Sequence, residues 1–202
     1  MGRVLAIEAY GSKVLRKMGE DIDKDYPKLD ELIENMFETM YKASGVGLAA
    51  PQIGKSIRLF IIDAAPFAEA NEDGEVDEMA KGLEDFKRVF INAEIIEEDG
   101  EAWAFEEGCL SIPKIREEVI REPRIRMTYF DENWKAHDEV FEGFAARIIQ
   151  HEYDHIDGVL FTDHLKPLRK RLVQGKLKDI SIGNIDVSYR MKFPGKSKSK
   201  KF

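Results

Sequence analysis

Five consecutive residues, His151-Glu152-Tyr153-Asp154-His155, constrain this chain more than any other stretch. On a helix, positions i and i+4 share a face, so the two imidazoles can reach one spot. Their ring nitrogens can take adjacent corners of a tetrahedral metal ion, with Glu152 beside them as general base. The segment from Gly143 to Gln150 carries Phe144, Ile148 and Ile149 at helical offsets, and Gly158 follows as a stop signal. The plain alternative is a surface helix bearing solvated histidines.

The rest of the chain must supply a core around that helix. Its 202 residues suit a single domain, expected over 1–190, with a disordered basic tail over 191–202. The tail reading rests on Lys192, Lys196, Lys198, Lys200 and Lys201 among Gly and Ser. Asp25 to Ser44 is predicted as an amphipathic helix, with Pro27 in its first turn and Gly45 at its end. Strands are predicted over Ile57–Ile62, Arg88–Ile96, Glu101–Phe105, Arg116–Ile120, Arg124–Phe130 and Trp134–Phe141, broken by Gly100, Pro113 and Pro123. A last, basic helix over Lys166–Lys178 is expected to be interrupted at Gly175. Few helices lie between strands, which argues for α+β with mainly antiparallel sheets around a central metal-binding helix. Glu69 to Asp85 reads as an acidic surface insertion, partly mobile. The net charge of −8 argues against broad nucleic-acid binding by the whole surface. No apolar run reaches membrane-spanning length and no signal-peptide pattern opens the chain, so the expectation is a cytoplasmic protein without a membrane partner.

Two histidines need a third protein ligand. One zinc-peptidase class continues His-x-x-Gly-x-x-His, but here Phe161 stands where that histidine belongs and His164 comes too late. A second class draws on a downstream glutamate, and no glutamate follows His155. Cys109, the single cysteine, is the obvious remaining candidate, because a thiolate is a strong metal ligand. A non-enzymatic site would instead close all four positions, with His137 or His164 as the fourth ligand, and would leave Glu152 without a role. Another unusual segment is Gly45-Val46-Gly47-Leu48-Ala49-Ala50-Pro51-Gln52. Its small residues permit close backbone approach by a ligand, and Gln52 can donate to a developing oxyanion. A Gly-rich helix-to-strand loop is the equally plain account.

Together, Gly45 to Gln52, Glu107 to Ser111 and Gln150 to His155 resemble the three signature motifs of the peptide deformylases, in the right order. Tyr10-Gly11 to Ile22 also resembles that family's N-terminal segment, so the likeness runs from about Leu5 to Leu168. The resemblance implies a metal-dependent hydrolase that removes the formyl group from formyl-methionyl nascent peptides. It implies Fe2+, with Zn2+, Ni2+ or Co2+ as substitutes, held by Cys109, His151 and His155. It further implies Glu152 as general base and acid, Gln52 with the Leu110 N–H as oxyanion hole, and Gly47 as a backbone contact to substrate.

Helical spacing puts Ile148 and Phe144 one and two turns before His151 on its face. With Val46 and Phe105, which flank the other motifs, they are expected to wall a pocket for the methionine side chain, though ordinary core packing is the alternative. Arg147 would then have to point aside. Glu107 is expected to pair with Arg121, with Arg116 as the competing partner. Lys166, Arg169, Lys170, Arg171, Lys176 and Lys178 cluster on the last helix. They suggest weak, salt-dependent ribosome contact through the C-terminal end, against the alternative of a solvated basic face.

Overall fold

The computed structural model describes residues 2–68, 80 and 82–194. The principal sheet is five-stranded and antiparallel, formed by β2 (Gly47–Ala49), β3 (Leu59–Asp63), β4 (Lys87–Asp99), β7 (Arg124–Phe130) and β8 (Ala136–Glu142), side by side in that order. A separate hairpin joins β5 (Trp103–Cys109) to β6 (Ile112–Arg121). A short parallel pair joins β1 (Ile7–Glu8) to β9 (Met191–Lys192). Three helices complete the described fold: α1 (Leu29–Lys42), α2 (Gly143–Ile156) and α3 (Pro167–Ser181). The α+β class with mainly antiparallel sheet is therefore as the sequence indicates.

α2 is the centre of the molecule. Phe144, Ala145, Ala146, Arg147, Ile148, Ile149, Gln150, Glu152, His155 and Ile156 are all buried, so the helix is covered nearly all round rather than along one stripe. It follows β8 without a loop. Gly143 makes that sharp turn at φ +59°, a left-handed conformation that a side chain would strain. Its N–H is held by the Pro123 carbonyl at 3.0 Å. On one side α2 packs with Phe60, Phe90, Met127 and Phe141 of the principal sheet. α1 lays Leu29, Leu32, Ile33, Met36, Phe37 and Met40 against the same sheet with Leu48, Leu59 and Ile61.

Several element boundaries depart from the sequence reading. α1 starts after Lys28, whose φ of +57° leaves Pro27 before the helix rather than in its first turn. Pro113 lies within β6 instead of breaking it, because this two-stranded hairpin leaves edge positions where a missing N–H costs no ladder bond. α3 runs unbroken through Gly175: burial of Val173, Leu177 and Ile180 outweighs one glycine's helix penalty of about 1 kcal/mol. Gly47–Ala49 is a short strand, not only loop. The tail boundary at 190 falls too early, since Met191 and Lys192 pair in register with Ile7 and Glu8. The rest of the expected tail, 195–202, and most of the acidic insertion, 69–79 and 81, lie outside the described residues. Within the insertion Ala80 and Leu83 are buried in the core beside Phe90 and Phe141.

Candidate metal centre and substrate cleft

The hairpin and the central helix meet at one point. Cys109 ends β5, while His151 and His155 stand one turn apart on α2. Ligand atoms from these three residues lie within 4.8 Å of one another, and they are the group among the described residues best placed to hold an ion. Cys109 Sγ is 3.2 Å from His155 Nε2. The imidazole planes are nearly perpendicular, at 84°, so their nitrogens approach from different directions. The alternative fourth ligands are elsewhere. His137 lies 2.8 Å from Asp131 and stacks on Tyr129, and His164 bonds Asp154 at 2.8 Å. Three protein ligands and an open position suit a catalytic rather than a closed structural ion.

Of the two histidines, His151 is oriented from behind, whereas His155 Nδ1 is buried with no hydrogen-bond partner. Glu107 Oε2 lies 2.8 Å from His151 Nδ1, so that nitrogen faces the carboxylate and Nε2 is left for the ion. Glu107 is itself fixed by Arg121, whose Nε and guanidinium NH2 donate at 2.7 and 3.1 Å. Arg116 pairs with Glu106 instead, at 3.3 Å. Arg147 does not clear the cleft, whose lining includes it, but its guanidinium is engaged by neighbours. It donates to Glu107 at 3.2 Å, to the Val119 and Trp103 carbonyls, and stacks over the Trp103 ring at 4.4 Å. Glu107 therefore gathers two buried arginines and a histidine, a role that its pairing with Arg121 alone understates.

The electrostatics follow from this packing. Burial pushes the Glu107 carboxyl up, but hydrogen bonds from His151 and Arg121 outweigh it and hold the group well below the usual carboxylate range. Burial also raises the Cys109 thiol, but His155 and His151 bring it down to about 5. It is thus a thiolate at neutral pH, the form that ligates a metal. Glu152 is only 4% exposed, and burial pushes it up to about 7 against the opposing pull of His151 and His155. One of its oxygens, Oε2, is buried with no hydrogen-bond partner. A carboxyl near neutrality with a spare oxygen suits proton transfer at physiological pH.

Gln52 comes from the short helical turn after β2. Its Oε1 accepts the Ala49 N–H at 2.8 Å, which fixes the amide so that Nε2 faces Cys109 Sγ at 3.5 Å and Ser111 Oγ at 3.3 Å. Gly47 lies against Glu152: a β-carbon there would come within 2.5 Å of Glu152 Oε1. These groups open into a cleft of about 740 Å³, whose lining includes all of Gly47, Val46, Phe105, Phe144 and Ile148 together with Leu110. Phe105 and Phe144 meet ring to ring at 5.1 Å, and Phe67, not anticipated from sequence, meets Phe144 at 5.2 Å. A further contributor that sequence reasoning missed is Tyr189, whose hydroxyl donates to the Leu110 carbonyl at 2.7 Å. No periodicity or motif links those two positions.

Comparison with known proteins identifies the family. A family model described as polypeptide deformylase matches residues 4–171. The peptide deformylase of Christiangramia forsetii is 59% identical over 198 residues, covering 98% of this chain and all of that protein. That of Flavobacterium johnsoniae is 55% identical over 197 residues, with 98% and 100% covered. Among solved structures, a peptide deformylase from Legionella pneumophila superposes with a TM-score of 0.72 at 35% identity, covering 87% of this chain and 94% of its own. One from Thermotoga maritima gives 0.68 at 40% identity, covering 81% and 99%.

Proposed function

This chain belongs to the polypeptide deformylase family, and from that premise we propose that Cys109, His151 and His155 hold its ion while Glu152, Gln52 and Leu110 carry out the chemistry. It is an enzyme of metal-dependent deformylation, removing the N-terminal formyl group of newly synthesised proteins. One observation supports these residue roles above others: a thiolate and two imidazoles converge within 4.8 Å beside a buried carboxyl that lacks a partner for one oxygen.

When bound, the ion supplies an activated water and polarises the formyl carbonyl. Glu152 takes a proton from the attacking water and later delivers it to the departing amine. Gln52 Nε2 and the Leu110 N–H donate to the oxygen as charge develops there. Gly47, in an extended strand at the cleft edge, offers its backbone to the peptide. Val46, Phe105, Phe144 and Ile148 enclose the methionine side chain in an apolar wall.

We assign Fe2+ as the native ion, with Zn2+, Ni2+ or Co2+ as substitutes; one thiolate and two imidazoles accept all four. Metal analysis of protein purified without oxygen, alongside formate release from a formyl-methionyl peptide, tests both parts. Active protein carrying zinc and no iron would overturn the iron assignment. Failure to release formate with any of the four ions would overturn the residue roles.

The described chain is read as one catalytic domain working in the cytoplasm. Among the described residues no helix is long and apolar enough to cross a membrane. The basic face of α3 is proposed as a weak ribosome contact. Lys166, just before the helix, and Arg171, Lys176 and Lys178 within it are exposed, although Arg169 is engaged by Glu117 and Lys170 by Asp163. Charge reversal is a better test than truncation, because Val173, Leu177 and Ile180 of the same helix are buried. Changing Lys166, Arg171 and Lys176 to Glu should weaken ribosome co-sedimentation at low salt and leave free-peptide turnover intact. Equal sedimentation at two salt concentrations would remove α3 as the docking element.

A further inference from the structure

The turn that carries the thiolate ligand also carries Leu110. It consists of Leu110 and Ser111 alone, with Cys109 paired to Ile112 across the hairpin. A two-residue turn leaves few ladder bonds to fix its own peptide planes, so their directions depend on outside partners. Both turn carbonyls have one. The Ser111 carbonyl accepts the Tyr10 N–H at 2.9 Å. The Leu110 carbonyl accepts the Tyr189 hydroxyl at 2.7 Å. The segments that supply these anchors hold each other. Ile7 N–H donates to the Arg190 carbonyl and Ala9 N–H to the Lys192 carbonyl, each at 2.9 Å, along the β1–β9 pairing.

Tyr189 comes from outside the part of the chain that the family model matches, which stops at residue 171. Even so, Asp186, Val187, Ser188 and Tyr189 line the substrate cleft. The Leu110 N–H belongs to the peptide plane before its α-carbon and the carbonyl to the plane after it. Only two soft dihedrals separate these planes, so holding one restricts the other.

We propose that Tyr189 is a positioning residue for deformylation: by fixing the Leu110 carbonyl it aims the Leu110 N–H at the oxygen that develops charge. The inference rests on the oxyanion role of Leu110 given above.

Tyr189→Phe is the test, because it removes one hydroxyl and keeps the ring. Turnover of a formyl-methionyl peptide, per bound metal, should fall about tenfold while KM stays within about twofold. The Leu110 amide should exchange hydrogen several-fold faster, and metal content and Tm should hardly move. A residue that merely supports the fold would instead lower Tm and metal content, with kcat per bound metal unchanged, and that result overturns the proposal. Unchanged Leu110 exchange overturns the grip of Tyr189 on the turn. Faster exchange with full turnover overturns it through Leu110, showing that this N–H is not the oxyanion donor. Deformylation by the wild-type chain, measured in the same assay, tests the enzyme's activity separately.

Discussion

Gly47→Ala is the smallest change that should disable this site without touching a metal ligand. The added methyl would lie 2.5 Å from Glu152 Oε1 and 2.8 Å from both Cδ and Cγ, where ordinary contact begins at 3.4 Å. The clash reaches up the side chain to Cγ, so turning the carboxylate alone cannot relieve it. Either the whole Glu152 side chain or β2 must shift by about 0.9 Å. β2 is held in register on β3, with Gly47 opposite Ile62 and the fully buried Leu48 opposite Ile61. The side chain therefore yields. Displacement of a catalytic group by about 1 Å can cost about 10²-fold in rate, and overpacking of this kind costs about 1–3 kcal/mol in stability. Steady-state kinetics should show kcat lower by about 10²-fold, KM within about threefold and metal content unchanged. Gly45→Ala is the control. Its methyl would meet Leu110 Cδ1 at 2.8 Å, the end of a flexible side chain, and kcat should stay within about fivefold. Gly47→Ala protein with near-wild-type kcat, or a crystal structure with Glu152 unmoved, would refute the reasoning.

Glu152→Gln preserves shape but cannot take a proton, so it should retain metal and lose about 10²- to 10⁴-fold in turnover; a rate near wild type would put the base elsewhere. Arg121→Met leaves Glu107 and Asp154 short of their shared buried cation, and urea unfolding should report a loss of about 3–5 kcal/mol. The folded-state Glu107 carboxyl is depressed, so its contribution is fully present above the unfolded value of about 4.3 and is lost as pH falls below it. Stability measured from pH 7 down to pH 3 should therefore drop less steeply in Glu107→Gln than in wild type. Ile148→Asp should weaken binding of formyl-methionyl peptides through a charge in the apolar wall, with unchanged KM as the contrary result.

Much of the site was legible because its chemistry is local in sequence. His151, Glu152 and His155 follow helical spacing on α2, and Cys109 had no rival thiol. The Glu107–Arg121 pair was legible because both lie on adjoining strands and a carboxylate beside a ligand needs a partner. What stayed hidden depends on side chains meeting across the fold. Nothing in periodicity says that Arg147 would turn under the hairpin to Trp103, or that Glu107 would also orient His151. The same holds for the α1 start, decided by a left-handed Lys28, and for β2, only three residues long and opening on a glycine. Helix α3 continued through Gly175 because tertiary burial overrode local propensity.

The parallel pairing of β1 with β9 also sets the order in which this enzyme can be completed. Glu8 and Lys192 are 184 positions apart and are bridged by the Lys192 amine on the Glu8 carboxylate, as well as by the strand pairing. The first strand leaves the ribosome long before its partner exists, and a contact of such large separation is among the slowest to form. Hairpin β5–β6 and helix α2 can assemble earlier, but the grip on the Leu110–Ser111 turn waits for the segment that carries Tyr189 and β9. An enzyme that processes the beginnings of other chains thus reaches its own working geometry only after Lys192 has emerged.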